Sequence, residues 1–243
     1  MRQAQIKKLK PLKYTGNEAI NTICSNLTFS GRDLKKIALT SCNASEGKSF
    51  LSMQIAYTMA KRGKRVILID ADLRRSVTIS HFGIISDGDI KGLAHYLAGH
   101  NELDDVIFET NVNNLFIIPA GRDIANPVPL LLSQTFTGLL ENLNRQYDMI
   151  IVDTPPIGLV IDAAEIAKCC DGVVLVAKYK STHRREMIES KQQIEQTGTQ
   201  IIGCIINDVT FDSISTKKYY GKSYYSHYGY YRREKKKKST GKV

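Results

Sequence analysis

Gly47, Lys48 and Ser49 close a turn of small and polar residues, Ser41-Cys42-Asn43-Ala44-Ser45-Glu46, and this combination can hold a polyphosphate. In such a turn the backbone N–H groups point inward at a helix N-terminus. The lysine reaches the β- and γ-phosphates, and the serine hydroxyl is placed to ligate Mg²⁺. Two carboxylate groupings supply the rest of a phosphoryl-transfer inventory: Asp70-Ala71-Asp72-Leu73-Arg74, and Asp153 ahead of Thr154-Pro155-Pro156. One carboxylate can help hold the metal, and a spare one can stand beside the attacking oxygen. Each piece alone has a plainer explanation: Asp70 or Asp153 as a helix N-cap, Arg74 in a surface ion pair, Lys48 as a solvated helix residue. The joint occurrence favours a nucleotide site. Its irregularity is Cys42, five residues before Gly47, where a P-loop has glycine; the turn accepts the Cβ of Cys42 only if φ there is negative.

The segments around these residues are those of a parallel sheet. Ile37 to Thr40 is a short apolar run before the turn, and Phe50 to Met59 has helical spacing. Val66-Ile67-Leu68-Ile69 and Ile150-Ile151-Val152 are continuous apolar runs that end in the aspartates, as strands buried on both faces do. Ligands of open α/β sheets bind at the carboxyl ends of such strands. Leu115 to Ile118, Gly172 to Ala177 and Ile201 to Asn207 predict further strands. Helices are predicted over Asn17 to Ser30, Gly92 to Leu97, Glu102 to Phe108, from Pro127 towards Arg145, over Asp162 to Cys170 and over Thr182 to Gln196. The alternation predicts an α/β protein: a doubly wound, mainly parallel sheet flanked by helices, the P-loop NTPase fold. Residues 1–16 read as a basic, loosely structured leader, 17–208 as the P-loop domain and 209–243 as a mobile tail.

The net charge of +10 suggests a nucleic-acid partner until its location is noted. Ten Lys/Arg and one acid lie between Lys217 and Val243, so the body is near neutral and no specific nucleic acid is expected. Tyr219, Tyr220, Tyr224, Tyr225, Tyr228, Tyr230 and Tyr231 are interleaved with these cations, with too few aliphatic residues to build a core. Such a segment suits a phosphoacceptor, an arm that stacks on bases, or a tether to anionic lipid that gives peripheral membrane association. The first reading explains the nucleotide site and the tyrosines together. No apolar run approaches the length of a membrane span, no secretory signal follows Met1, and five cysteines without metal spacing fit reduced thiols of a cytoplasmic protein.

In these motifs the chain resembles the bacterial tyrosine kinases of capsule and exopolysaccharide synthesis. Ser41 to Ser49 stands for the family's Walker A, Ile67 to Arg74 for its Walker A-prime and Ile150 to Pro156 for its Walker B; Gly92 to Leu97 and Pro119 to Pro127 also look like family sequence. The resemblance implies an ATP- and Mg²⁺-dependent autokinase that modifies its own tyrosine cluster. It makes Lys48, Asp70, Asp72 and Asp153 catalytic, lines the nucleotide with Asn43, Ala44, Ser45, Glu46, Gly47, Lys48, Ser49 and Phe50, and places the metal at Ser49 with Asp153 and one of Asp70 or Asp72. The remaining aspartate, here taken as Asp72, would orient or deprotonate the acceptor tyrosine. The implied partners are a membrane adaptor that promotes nucleotide binding, a tyrosine phosphatase, and further copies of the chain phosphorylated in trans, with the cytoplasmic kinase open to recruitment to the inner face of the membrane. Fold relatives that partition chromosomes or place the division septum carry lysine one residue into the loop, where this chain has Asn43; an ATPase switch of that kind is the alternative. Two departures stand out. Ala44-Ser45 replaces the family's Pro-Gly, and its subunit-contact motif Glu-x-x-Arg-x-x-Arg reads Glu18-x-x-Asn21-x-x-Cys24.

Overall fold

The computed structural model describes residues 1–9, 11–31 and 34–209, so the tyrosine cluster and its lysines lie outside the described residues. The chain begins with β1 (Arg2–Ile6) and α1 (Tyr14–Phe29), then β2 (Lys36–Ser41), α2 (Lys48–Lys61) and β3 (Val66–Asp70). Short elements follow: α3 (Thr78–Phe82), β4 (Ile84–Ser86), α4 (Leu93–Leu97), α5 (Leu103–Val106), β5 (Phe108–Thr110) and β6 (Leu115–Ile118). The last third comprises α6 (Val128–Leu131), α7 (Gln134–Gln146), β7 (Met149–Asp153), α8 (Asp162–Lys168), β8 (Gly172–Lys178), α9 (Arg184–Gln196) and β9 (Ile201–Asn207).

Among the described residues the strands form one sheet in the order β4-β1-β5-β6-β3-β7-β2-β8-β9. It is parallel from β6 to β9, while the β1–β4 and β5–β6 pairs are antiparallel. The apolar runs alternate between the two faces. Ile67 and Ile69 enter one core with Ile150, Val152, Leu139 and Leu143, whereas Val66 and Leu68 enter the other with Leu39, Ile55, Met59 and Ile151. Helices on both faces cover strands that have no polar face, which is why these strands read as unbroken runs. Truncating a side chain such as Leu68 to alanine in either core would cost about 2–5 kcal/mol.

The sequence-based reading of residues 1–16 as a loose leader needs correction, because β1 is an interior strand paired with both β4 and β5. Ala4 and Ile6 are buried on one side, a period-two signal too short to stand out against basic flanks. The helix predicted from Pro127 towards Arg145 is two helices, broken at Ser133, whose hydroxyl caps α7 by accepting from the Phe136 N–H at 3.2 Å.

Candidate functional site

Three adjacent strands, β3, β7 and β2, bring the predicted groups to one sheet edge. Asp70 and Asp153 are directly paired across β3 and β7, and Leu39, two residues before the loop, is paired with Asp153 across β7 and β2. The loop then turns into α2. Gly47, ahead of its first residue, has φ +90°, and a Cβ there would lie 2.1 Å from the Asn207 Nδ2. Glycine at 47 is therefore fixed by both conformation and space. Leu51 N–H bonds the Gly47 carbonyl, and the N–H groups of Lys48, Ser49 and Phe50 precede it in the first turn, where a helix leaves its donors for an anion.

Cys42 and Ser45 answer the questions raised by the irregular loop. Cys42 is buried and is not among the positive-φ residues, so its Cβ is accommodated without strain. Ser45 does adopt a left-handed conformation, at φ 61°, in the place of the family's glycine. A third close approach comes from Gly158, where a Cβ would stand 2.4 Å from the Cys42 carbonyl; the chain after Asp153 thus lies directly on the loop.

The charges converge as expected. Lys48 Nζ lies 3.2 Å from Asp72 Oδ2 and 3.4 Å from the Ser49 hydroxyl. Burial works against the lysine's charge, but Asp153 and Asp72 outweigh it and hold its pKa above the ordinary value. Asp70 is fully enclosed; burial, reinforced by the neighbouring Asp153, pushes its carboxyl up to about 7 against the donations of Ser76 and Thr78. Asp153 is raised too, chiefly by burial, with Lys48, Ser49 and Ser52 opposing. The Ser52 hydroxyl donates to Asp153 at 3.1 Å, Ser76 to Asp70 at 2.5 Å, and the backbone N–H of Asp72 to Asp70 at 3.2 Å. Ser52 and Ser76 carry no motif signal of their own and were not foreseen.

Three buried carboxylates beside one lysine leave surplus negative charge, the chemistry of a divalent-cation site. Among the described residues no group of three or more His, Cys, Asp or Glu is placed to hold a metal alone. Mg²⁺ would be held here by one or two of these carboxylates and the Ser49 hydroxyl, and would supply charge to bound phosphates. Ser49, Asp153 and Asp70 or Asp72 supply oxygen donors of the kind Mg²⁺ takes.

The backbone N–H of Asn43 donates to the Glu46 carboxylate at 3.0 Å. Arg74 is more than a surface charge: it binds the fully buried Asp162 through two nitrogens, at 2.7 and 2.9 Å, and the Ala125 carbonyl at 3.0 Å. It ties the Asp70–Asp72 segment to α8 and to the loop after β6. Of the two family positions on α1, only Cys24 faces the core. Cys24 is wholly buried and Asn21 half-buried, with the Asn21 carbonyl and side-chain oxygen each accepting from Arg62 at 3.0 Å. A groove of about 650 Å³ lined by residues of β8, α9 and β9 includes none of Gly47, Lys48, Ser49, Asp70, Asp72 or Asp153. No described helix is long and apolar enough to cross a membrane.

Residues 34–201 match the family model described as an AAA domain. The tyrosine-protein kinase CpsD of Streptococcus agalactiae is 42% identical over 231 residues, which cover 95% of this chain and 96% of that protein. The kinase domain of the Escherichia coli tyrosine kinase ETK superposes with a TM-score of 0.76 at 33% identity, covering 81% of this chain and 77% of that one. The septum site-determining protein MinD of Pyrococcus horikoshii, solved with Mg-ADP, shares the fold at 23% identity and a TM-score of 0.61, over 71% of this chain and 69% of that one.

Proposed function

Because this chain belongs to the bacterial tyrosine kinases of capsule and exopolysaccharide synthesis, we propose that its loop and three aspartates transfer the γ-phosphoryl group of Mg-ATP to tyrosines of the segment 219–231. The chain is an ATP-dependent tyrosine autokinase in exopolysaccharide and capsule regulation. The observation that carries the residue-level reading is the meeting of Lys48 with Asp72 at 3.2 Å beside the paired Asp70 and Asp153.

In this reading the backbone from Ser45 to Phe50 and the Lys48 ammonium bind the phosphates, and Ser49, Asp153 and Asp70 hold Mg²⁺. The bound nucleotide and metal supply the phosphoryl group and the charge that screens it. Asp72, the least enclosed of the three at 8% exposure against 1% and 2% for Asp70 and Asp153, meets an incoming hydroxyl first. It orients the phenol and takes its proton as the new P–O bond forms and the bond to the β–γ bridging oxygen breaks. A free phenol near pKa 10 needs that partner only in the transition state, so position matters more than basicity. The lysine-rich end, a membrane adaptor that promotes nucleotide binding, a second copy as substrate and an opposing tyrosine phosphatase complete the reading, with the kinase held at the inner face of the membrane.

Incubation of the pure full chain with γ-labelled Mg-ATP tests it. Label retained on the protein, stable to alkali as phosphotyrosine is and lost in Lys48→Met, is the expected result. Release of free phosphate without protein labelling would instead establish a hydrolytic switch.

A further inference from the structure

Glu46 is a carboxylate only 3% exposed within an anion-binding loop, where its charge by itself repels phosphate. Its contacts explain its presence. One oxygen accepts the Asn43 N–H at 3.0 Å and the other accepts the Thr182 hydroxyl. Its backbone carbonyl accepts from the Asn207 side-chain amide at 2.9 Å. Thr182 belongs to the connection between β8 and α9, outside every nucleotide motif. Its hydroxyl oxygen accepts the Lys178 backbone N–H at 2.7 Å, which directs the hydroxyl proton towards Glu46. The chain of donors thus runs from the end of β8, through Thr182 and Glu46, to the Asn43 N–H in the first half of the loop.

We propose that Thr182 is a positioning residue for ATP: it fixes the Glu46 side chain, and through Glu46 it sets the curvature of the loop that presents Gly47, Lys48 and Ser49 to the phosphates. The proposal deepens the reading of this loop as the ATP site and rests on it. Without the hydroxyl, one oxygen of a buried carboxylate loses its partner, and the side chain must leave Asn43 to find water. The loop then pays for its shape at the moment of binding. Because Thr182 touches neither reacting oxygen, the loss falls on nucleotide affinity and spares the chemical step.

Thr182→Val keeps the shape of the side chain and removes only the hydroxyl. The expected result is about a tenfold weaker Kd for a fluorescent ATP analogue with Mg²⁺, the size of one charge-assisted hydrogen bond, and a similar rise in KM for ATP with kcat within about twofold. Thr182→Ser restores both. If Thr182 acts through Glu46, adding Thr182→Val to Glu46→Ala weakens binding no further, whereas independent effects would multiply. Thr182→Ala takes the place of the valine variant should that fail to fold. A folded Thr182 variant that binds as wild type, or one that multiplies with Glu46→Ala, overturns the proposal. Wild type and Lys48→Met in the same titration separate the two readings: if wild-type protein binds no nucleotide the site itself is misassigned, and if it binds while Lys48→Met does not, only the role of Thr182 is at stake.

Discussion

Lys48 Nζ and Asp72 Oδ2 lie 3.2 Å apart, each side chain 11% exposed, so the loop lysine and this aspartate form a nearly enclosed ion pair. In the proposed mechanism the lysine exchanges this partner for phosphate and Asp72 turns to the acceptor phenol. Asp72→Asn removes the competitor and the proton acceptor together. Binding of Mg-ATP to this variant should stay within a few-fold of wild type or tighten, while tyrosine phosphorylation falls by about 10²–10⁴, the usual range for a lost general base. A fluorescent-nucleotide titration paired with a single-turnover phosphorylation rate measures both.

The buried Asp70 makes stability depend on pH. Its folded-state pKa of about 7 lies above the ordinary 3.8 because of burial and then Asp153, so between these values the native chain keeps a proton that the unfolded chain has released. The contribution is fully present below the unfolded value and is lost as pH rises through the folded one. Asp153 is shifted in the same direction and adds to the slope. Ligand-free Asp70→Asn should melt several degrees above wild type at pH 8, with the two curves converging towards pH 4, as scanning fluorimetry across that range would record.

Ser45 carries a conformational cost that its family counterpart does not. At φ 61° a side chain at this position crowds its own backbone, and glycine relieves the contact while loosening the unfolded chain. Ser45→Gly should raise stability by about 0.5–1 kcal/mol net and leave nucleotide affinity within twofold. Urea denaturation gives the first quantity and titration the second.

Arg74 and Asp162 form the pair most exposed to disruption. Arg74 is 33% exposed but its partner only 1%, so removal of the guanidinium strands a buried carboxylate. Arg74→Ala should cost about 2–4 kcal/mol, somewhat below the usual figure for breaking a fully buried pair because water reaches one side. Arg74→Lys should fall between, since an ammonium cannot reproduce the two-pronged contact. Chemical denaturation of the three proteins checks the order.

The sheet and the meeting of the candidate site's groups were legible in the chain because they rest on strong local signals: apolar runs ending in Asp70 and Asp153, and Gly47-Lys48-Ser49 opening a helix. β1 was not, since two inward residues, Ala4 and Ile6, make too short an alternation to announce a strand whose partners lie about a hundred residues away in β5. Nor were the supporting side chains. Ser52, Ser76 and Thr182 are common polar residues whose meaning comes from what the fold brings beside them, and Asp162 reads as an ordinary first residue of a helix until Arg74 is seen to bind it. The left-handed Ser45 was visible only as a departure from Pro-Gly, with its sign undetermined until φ was known.

Mapping phosphotyrosine by mass spectrometry, after the full chain is incubated with Mg-ATP, tests the central claim most directly. Modification concentrated on peptides carrying Tyr219 to Tyr231, absent from Lys48→Met and from Asp153→Asn, is the predicted result. Hydrolysis of ATP with those tyrosines unmodified, or equal modification in the Lys48→Met chain, would contradict it.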